Sequence, residues 1–128
     1  MQAPAPKRAV RAAFDKAADN YDAVASVQRA ACDRLLQLAV RSAHQSGHRF
    51  GHPPARILDA GCGTGYALAG LRQRFPAADL VALDFAPAML RRHPPGLARP
   101  LCADLEHLPL AAASVAAIWS RYALQWCA

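Results

Sequence analysis

No stretch of this 128-residue chain is apolar for the roughly 20 residues that a membrane-spanning helix needs. The N-terminus has two prolines and several charges where a secretory signal would have a continuous apolar segment, so a cytoplasmic protein is expected. The four cysteines (Cys32, Cys62, Cys102 and Cys127) form no CxxC pair, which argues against both a zinc site and a disulfide framework. They are expected to act as small hydrophobes, Cys62 inside a glycine turn and Cys102 in a buried strand. Internal repeats are absent. Aromatic residues make up 7% of the chain and do not interleave with the basic positions, so the pattern of a nucleic-acid module is missing.

What remains is the composition of one globular domain large enough to bury a core: 54% hydrophobic, 19% charged, with a mean hydropathy of +0.04. The net charge of +6 is unevenly placed, because residues 1–56 hold nine Lys/Arg against four Asp/Glu. Such a basic arm would steer an acidic partner, and it would equally suit solvated helix faces.

The spacing predicts two helices first, over 7–20 and 22–43. In the second, Val24, Val27, Ala31, Leu35 and Leu38 form one apolar stripe. Residues 44–55 are rich in glycine and proline and read as a linker. Their histidines His44, His48 and His52 are expected to be solvated rather than metal ligands. The chain then divides into an N-terminal arm with linker (1–55) and an α/β unit (56–128).

From Arg56 onward strand and helix alternate. Strands are predicted at Arg56–Ala60, at Leu80–Leu83 ending on Asp84, at Ala98–Ala103 and at Val115–Ser120. Pro100 should confine the third strand to a sheet edge. Helices are predicted over Thr64–Arg74, with Leu68, Leu71 and Phe75 inward, and from Pro87, where proline suits a first turn. This order implies a parallel α/β sheet with right-handed crossovers, Rossmann-like and stopping after its fourth strand. A sheet of that kind usually continues, so the chain is expected to be the front half of a longer protein.

Ligands of open α/β sheets bind beyond the carboxyl ends of the strands. Asp59, Asp84 and Asp104 fall there, as does Ser120 at the end of the fourth strand. Gly61, Gly63 and Gly65 would let the backbone approach a ligand, and the amides after Thr64 would favour a carboxylate. Asp59 suits an ammonium group, directly or through water. Asp84, 19 residues beyond Gly65, suits both hydroxyls of a ribose. Asp104 and the Leu105 amide suit the edge of an adenine, with Phe85 and Met89 on its faces. A dinucleotide site would want Gly-x-Gly-x-x-Gly, but Tyr66 stands where its third glycine belongs. The set matches S-adenosyl-L-methionine better.

With these residues, the chain resembles class I S-adenosylmethionine-dependent methyltransferases. The resemblance covers Ile57–Gly65, Val81–Asp84, Cys102–Pro109 and the fourth strand. The segments Arg11–Asp22, Val27–Arg29 and Ala123–Cys127 look like the malonyl-acyl-carrier-protein methyltransferases of biotin synthesis. The resemblance implies methyl transfer to the free carboxylate of a malonyl thioester on acyl carrier protein, with Tyr21 in a segment that closes over the cofactor. It implies no catalytic acid or base and no metal. Two departures stand out: Val115-Ala116 replace an aromatic–Asp pair, and Ala86 replaces a common serine cap. Other readings are a methyltransferase for another small molecule and a non-catalytic fragment.

Overall fold

The computed structural model describes residues 6–45 and 54–127. Three helices come first: α1 (Lys7–Ala17), α2 (Tyr21–Val24) and α3 (Ser26–Gln45). Then follow β1 (Arg56–Ala60), α4 (Tyr66–Arg74), β2 (Asp79–Asp84), α5 (Pro87–Leu90), β3 (Arg99–Cys102) and β4 (Ala117–Ser120), with a 3-10 turn at Leu124–Trp126. The four strands form one parallel sheet in the order β3-β2-β1-β4. The α/β class and the parallel sheet agree with the expectation, as does the edge position of β3 with its Pro100.

Registry brings the strand ends level. Ala60 lies beside Leu83 and Ser120, and Asp84 lies beside Cys102. Side chains alternate between the two faces of β1, so Ile57 joins Cys32, Leu71 and Leu80 on one side. Leu58 joins Val81 and Leu83 on the other, where Leu101, Leu105 and Leu110 pack against them.

Several boundaries differ from the sequence reading. The first helix stops at Ala17 and the second is split at Ala25, whose backbone leaves the helical region (φ −89°, ψ 29°). The split lets Asp22 reach Thr64 while α3 turns onto α4. Tertiary contact overrides the periodic pattern there. The expected apolar stripe also fails. Val24 and Val27 are 77% and 69% exposed, and Leu35 and Leu38 are exposed as well. The buried face carries Ala25 and Cys32, with Leu36 packed against the cluster that holds Cys32. The reason is a notch in α4: a Cβ added at Gly70 would lie 2.5 Å from Leu36 Cδ1. Small residues on one helix and glycine on the other allow an approach that the larger valines would prevent.

Cys102 is exposed rather than buried, because the short edge strand β3 has little cover on that side. Helix α4 starts at Tyr66 instead of Thr64, since Gly65 is left-handed at φ +86°. The β4 ladder begins two residues later than expected, at Ala117. Helix α3 runs through His44 into the expected linker, while His48 and His52 lie outside the described residues. Among the described residues no helix is long and apolar enough to cross a membrane.

Removing the half-buried Leu36 side chain, by Leu36→Ala, should cost about 1–2 kcal/mol of stability in urea unfolding. Val27→Ala should stay within about 0.5 kcal/mol. The reverse ranking would restore the stripe predicted from periodicity.

Candidate functional site

Between β1 and α4 the chain makes a turn in which Gly61, Gly63 and Gly65 all have left-handed backbone, at φ +77°, +56° and +86°. Side-chain-free residues suit this conformation. The three differ in what surrounds them. A Cβ at Gly61 would run into the Ala123 side chain, and one at Gly65 would lie 2.9 Å from the His93 ring. Only Gly63 faces open space. Two of these glycines therefore serve protein packing, and one leaves its outer side open.

Asp84, at the tip of β2, holds the turn. Its Oδ2 accepts from the Gly63 amide and its Oδ1 from the Ala86 amide, both at 2.9 Å. The Ala86 bond supplies the start of α5 with the acceptor that a serine cap would provide. Leu83 O accepts from the amides of Gly61 and Cys62. From below, His93 Nε2 lies 3.0 Å from Gly63 O and 3.3 Å from Cys62 Sγ. Burial pushes the Asp84 carboxyl up, and the amide bonds pull the other way.

Asp59 is only 3% exposed, and its Oδ2 has no hydrogen-bond partner. Burial raises its carboxyl from 3.8 to about 7; the nearby Arg121 charge opposes this and Asp84 reinforces it. A buried carboxylate oxygen without a donor is costly unless something else pairs with it.

Asp104 has a different environment. Lys7 Nζ donates to its Oδ2 at 2.6 Å and also pairs with Glu106, while the Glu106 amide donates to Asp104 Oδ1 at 3.0 Å. The Lys7 bond holds the Asp104 carboxyl below its ordinary value.

These groups surround one cleft at the carboxyl ends of the strands. Of the residues named from sequence, Tyr21, Gly61, Gly63, Asp84, Phe85, Met89, Asp104 and Leu105 line it. Asp59, Thr64, Gly65 and Ser120 do not line it. Thr64 donates to Asp22 Oδ1 at 2.7 Å, and Ser120 donates to Ala60 O at 2.9 Å, so both tie elements together. Met89 is buried against Ala18 and Ala86. Phe85 meets Phe14 edge-on, with ring centres 6.3 Å apart.

Sequence reasoning missed Lys7, Phe14, Arg121, Tyr122 and Trp126, all of which line the cleft. Phe14 packs edge-on against Trp126 at 5.9 Å, so the arm closes on the segment after β4. One signal was available: Phe14 and Trp126 lie in two of the segments that carry the narrower resemblance.

Residues 57–128 match the family described as methyltransferase domain. The chain belongs to this methyltransferase family. It is 47% identical over 133 residues to a malonyl-[acyl-carrier protein] O-methyltransferase of Laribacter hongkongensis, and 46% identical over 124 residues to one of Dechloromonas aromatica. Each alignment covers 94% of this chain and 42% of the relative, so the chain spans about two fifths of the length of these relatives. Among solved structures, the plantazolicin methyltransferase BpumL in complex with SAH superposes with a TM-score of 0.67 at 19% identity. That match covers 91% of this chain and 48% of BpumL and shows a shared methyltransferase fold.

Asp59 generates a pH-dependent prediction. Its folded pKa lies above its unfolded value, so the folded state holds the extra proton between them. The stability this contributes is present below pH 3.8 and is lost as pH rises through about 7. Asp59→Asn is neutral throughout, so its stability relative to the parent should improve steadily across that range. Urea unfolding at several pH values reads this, and a flat difference would contradict the burial argument.

Proposed function

We propose that this chain is the cofactor-binding portion of an S-adenosylmethionine-dependent O-methyltransferase whose acceptor is the malonyl thioester of acyl carrier protein. The observation that carries the reading is the strand-tip cleft built on the glycine turn, in a chain 47% identical to an enzyme named for that reaction. The residues present fit S-adenosylmethionine. Gly63 has an open outer side, and Asp59 has a buried oxygen lacking a donor.

In this reading Asp59 accepts from the ligand ammonium, directly or through water. Asp84 keeps its bonds to Gly63 and Ala86 and uses its remaining lone pairs for the ribose hydroxyls. Asp104 and the Leu105 amide meet the adenine edge, and Phe85 with Met89 supplies apolar contact. Lys7 occupies Asp104 in the structure described, so it shares or yields that carboxylate when adenine binds. Thr64, Gly65 and Ser120 support the turn and the strand ends. Tyr21 and Phe14 belong to the arm that covers the site.

Bound S-adenosylmethionine supplies an activated methyl group on a sulfonium, which leaves as a neutral thioether. An acceptor carboxylate is already a nucleophile at neutral pH, so the chain needs no general base. Its task is to orient the ligand and keep water out, and the closure of Phe14 on Trp126 suits that task. The surplus of basic residues in the N-terminal arm complements an acidic carrier protein. A cytoplasmic setting follows from that partner.

Calorimetric titration of the chain with S-adenosylhomocysteine, with NAD as the control, tests the cofactor assignment. Saturable binding of the first alone is expected. Asp84→Ala should weaken it about tenfold or more by removing a charged acceptor. Unchanged affinity in a folded variant would remove Asp84 from the site.

A further inference from the structure

Gly63 is the member of the turn whose outer side is open, and both of its backbone polar groups are held. Its amide donates to Asp84 Oδ2 at 2.9 Å, and its carbonyl oxygen lies 3.0 Å from His93 Nε2. Asp84 ends β2 and His93 follows the end of α5, so one short connection supplies both partners. The His93 amide donates to Leu90 O at 3.2 Å, which continues the turn of α5 and sets where the ring emerges.

The two bonds act on different peptide units. Asp84 holds the unit between Cys62 and Gly63 through its N–H, and His93 holds the unit between Gly63 and Thr64 through its C=O. Each unit is planar, so a fixed Gly63 carbonyl also fixes the direction of the Thr64 N–H on the opposite side. A glycine at φ +56° has no side chain to limit rotation, so a second anchor matters more here than at another residue. A carbonyl oxygen only accepts, which puts the ring proton of His93 on Nε2. Nδ1 is then the bare nitrogen, and it is buried with no hydrogen-bond partner among the described residues. Burial holds the ring below its ordinary pKa, with the Gly63 bond and Asp84 opposing. The Cys62 thiol, 3.3 Å from Nε2, is pushed up by burial and stays protonated.

We propose that His93 is a positioning residue for cofactor binding: its Nε2–H fixes the Gly63–Thr64 peptide, and with it the form of the turn that the ligand meets. The proposal rests on the S-adenosylmethionine reading and adds a residue that does not itself line the cleft. His93 therefore acts through Gly63 rather than by touching a ligand. Its ring also fills the space beside Gly65, 2.9 Å from where a Cβ would stand there. Filling and donating are separate tasks, and only the donor orients the peptide.

Two substitutions separate these tasks. Leucine fills the space without a donor, whereas the glutamine side-chain amide carries an N–H at a reach similar to that of Nε2. In calorimetric titration with S-adenosylhomocysteine, His93→Leu should weaken binding about three- to tenfold, and His93→Gln should restore it to within about twofold of the unaltered chain. Both variants lose the ring, so a role in packing alone would leave their affinities alike, and that outcome overturns the proposal. A second measurement needs neither variant to fold and no ligand. Nitrogen-15 NMR of the unaltered chain should show the His93 proton on Nε2 and a bare Nδ1 at neutral pH, and a proton on Nδ1 instead overturns the proposal alone. A folded chain with the Nε2–H form that binds no S-adenosylhomocysteine overturns the cofactor reading, and the proposal with it.

Discussion

The site depends on a single backbone constraint, the left-handed turn between β1 and α4. Three glycines carry it, and the tip of β2 holds it in place through Asp84 and Leu83 O. These bonds cross from one strand to its neighbour, so the turn and the sheet define each other's geometry. Asp84 spends part of its hydrogen-bonding capacity on Gly63 and Ala86 before any ligand is present. Pre-organisation of this kind lowers the ordering cost of binding. His93 braces the turn from below, where a side chain at Gly65 would strike it.

The N-terminal arm is attached to this centre by polar bonds from its acidic residues and by apolar packing. Asp15 accepts from the Ala88 amide at the start of α5, Asp22 accepts from Thr64, and Asp33 accepts from the Tyr66 hydroxyl. Lys7 reaches the opposite wall at Asp104 and Glu106. The apolar contribution comes from Cys32 and Leu36 packed with the sheet and α4, from Ala18 against Met89, and from Phe14 meeting Tyr21, Phe85 and Trp126. Partly exposed ion pairs contribute little each, so the buried arm residues carry more of its attachment than Lys7 does.

Much of the α/β unit was legible in the sequence because its signals are local. Arg56–Ala60 and the glycines after it announce a buried strand and a tight turn, and Pro100 marks an edge strand by its missing donor. The helical arm was harder. Val24, Val27, Leu35 and Leu38 have helical spacing, but they face outward because Gly70 on α4 receives Leu36 instead. Periodicity identifies an apolar face and says nothing of where a partner helix is thin. Cys102 was misplaced for a similar reason: a strand's own residues do not reveal how little covers an edge.

The sequence by itself determined the order of strands and helices, the left-handed turn, and the three carboxylates at strand ends, because each follows from the chemistry of neighbouring residues. Tertiary structure alone decided what those carboxylates meet. Asp84 bonds amides, Asp104 bonds Lys7 from the far end of the chain, and Asp59 keeps a buried Oδ2 without a partner near Arg121. Those pairings join residues distant in sequence, and the electrostatics of a site depends on which charges folding brings close and how much water it removes.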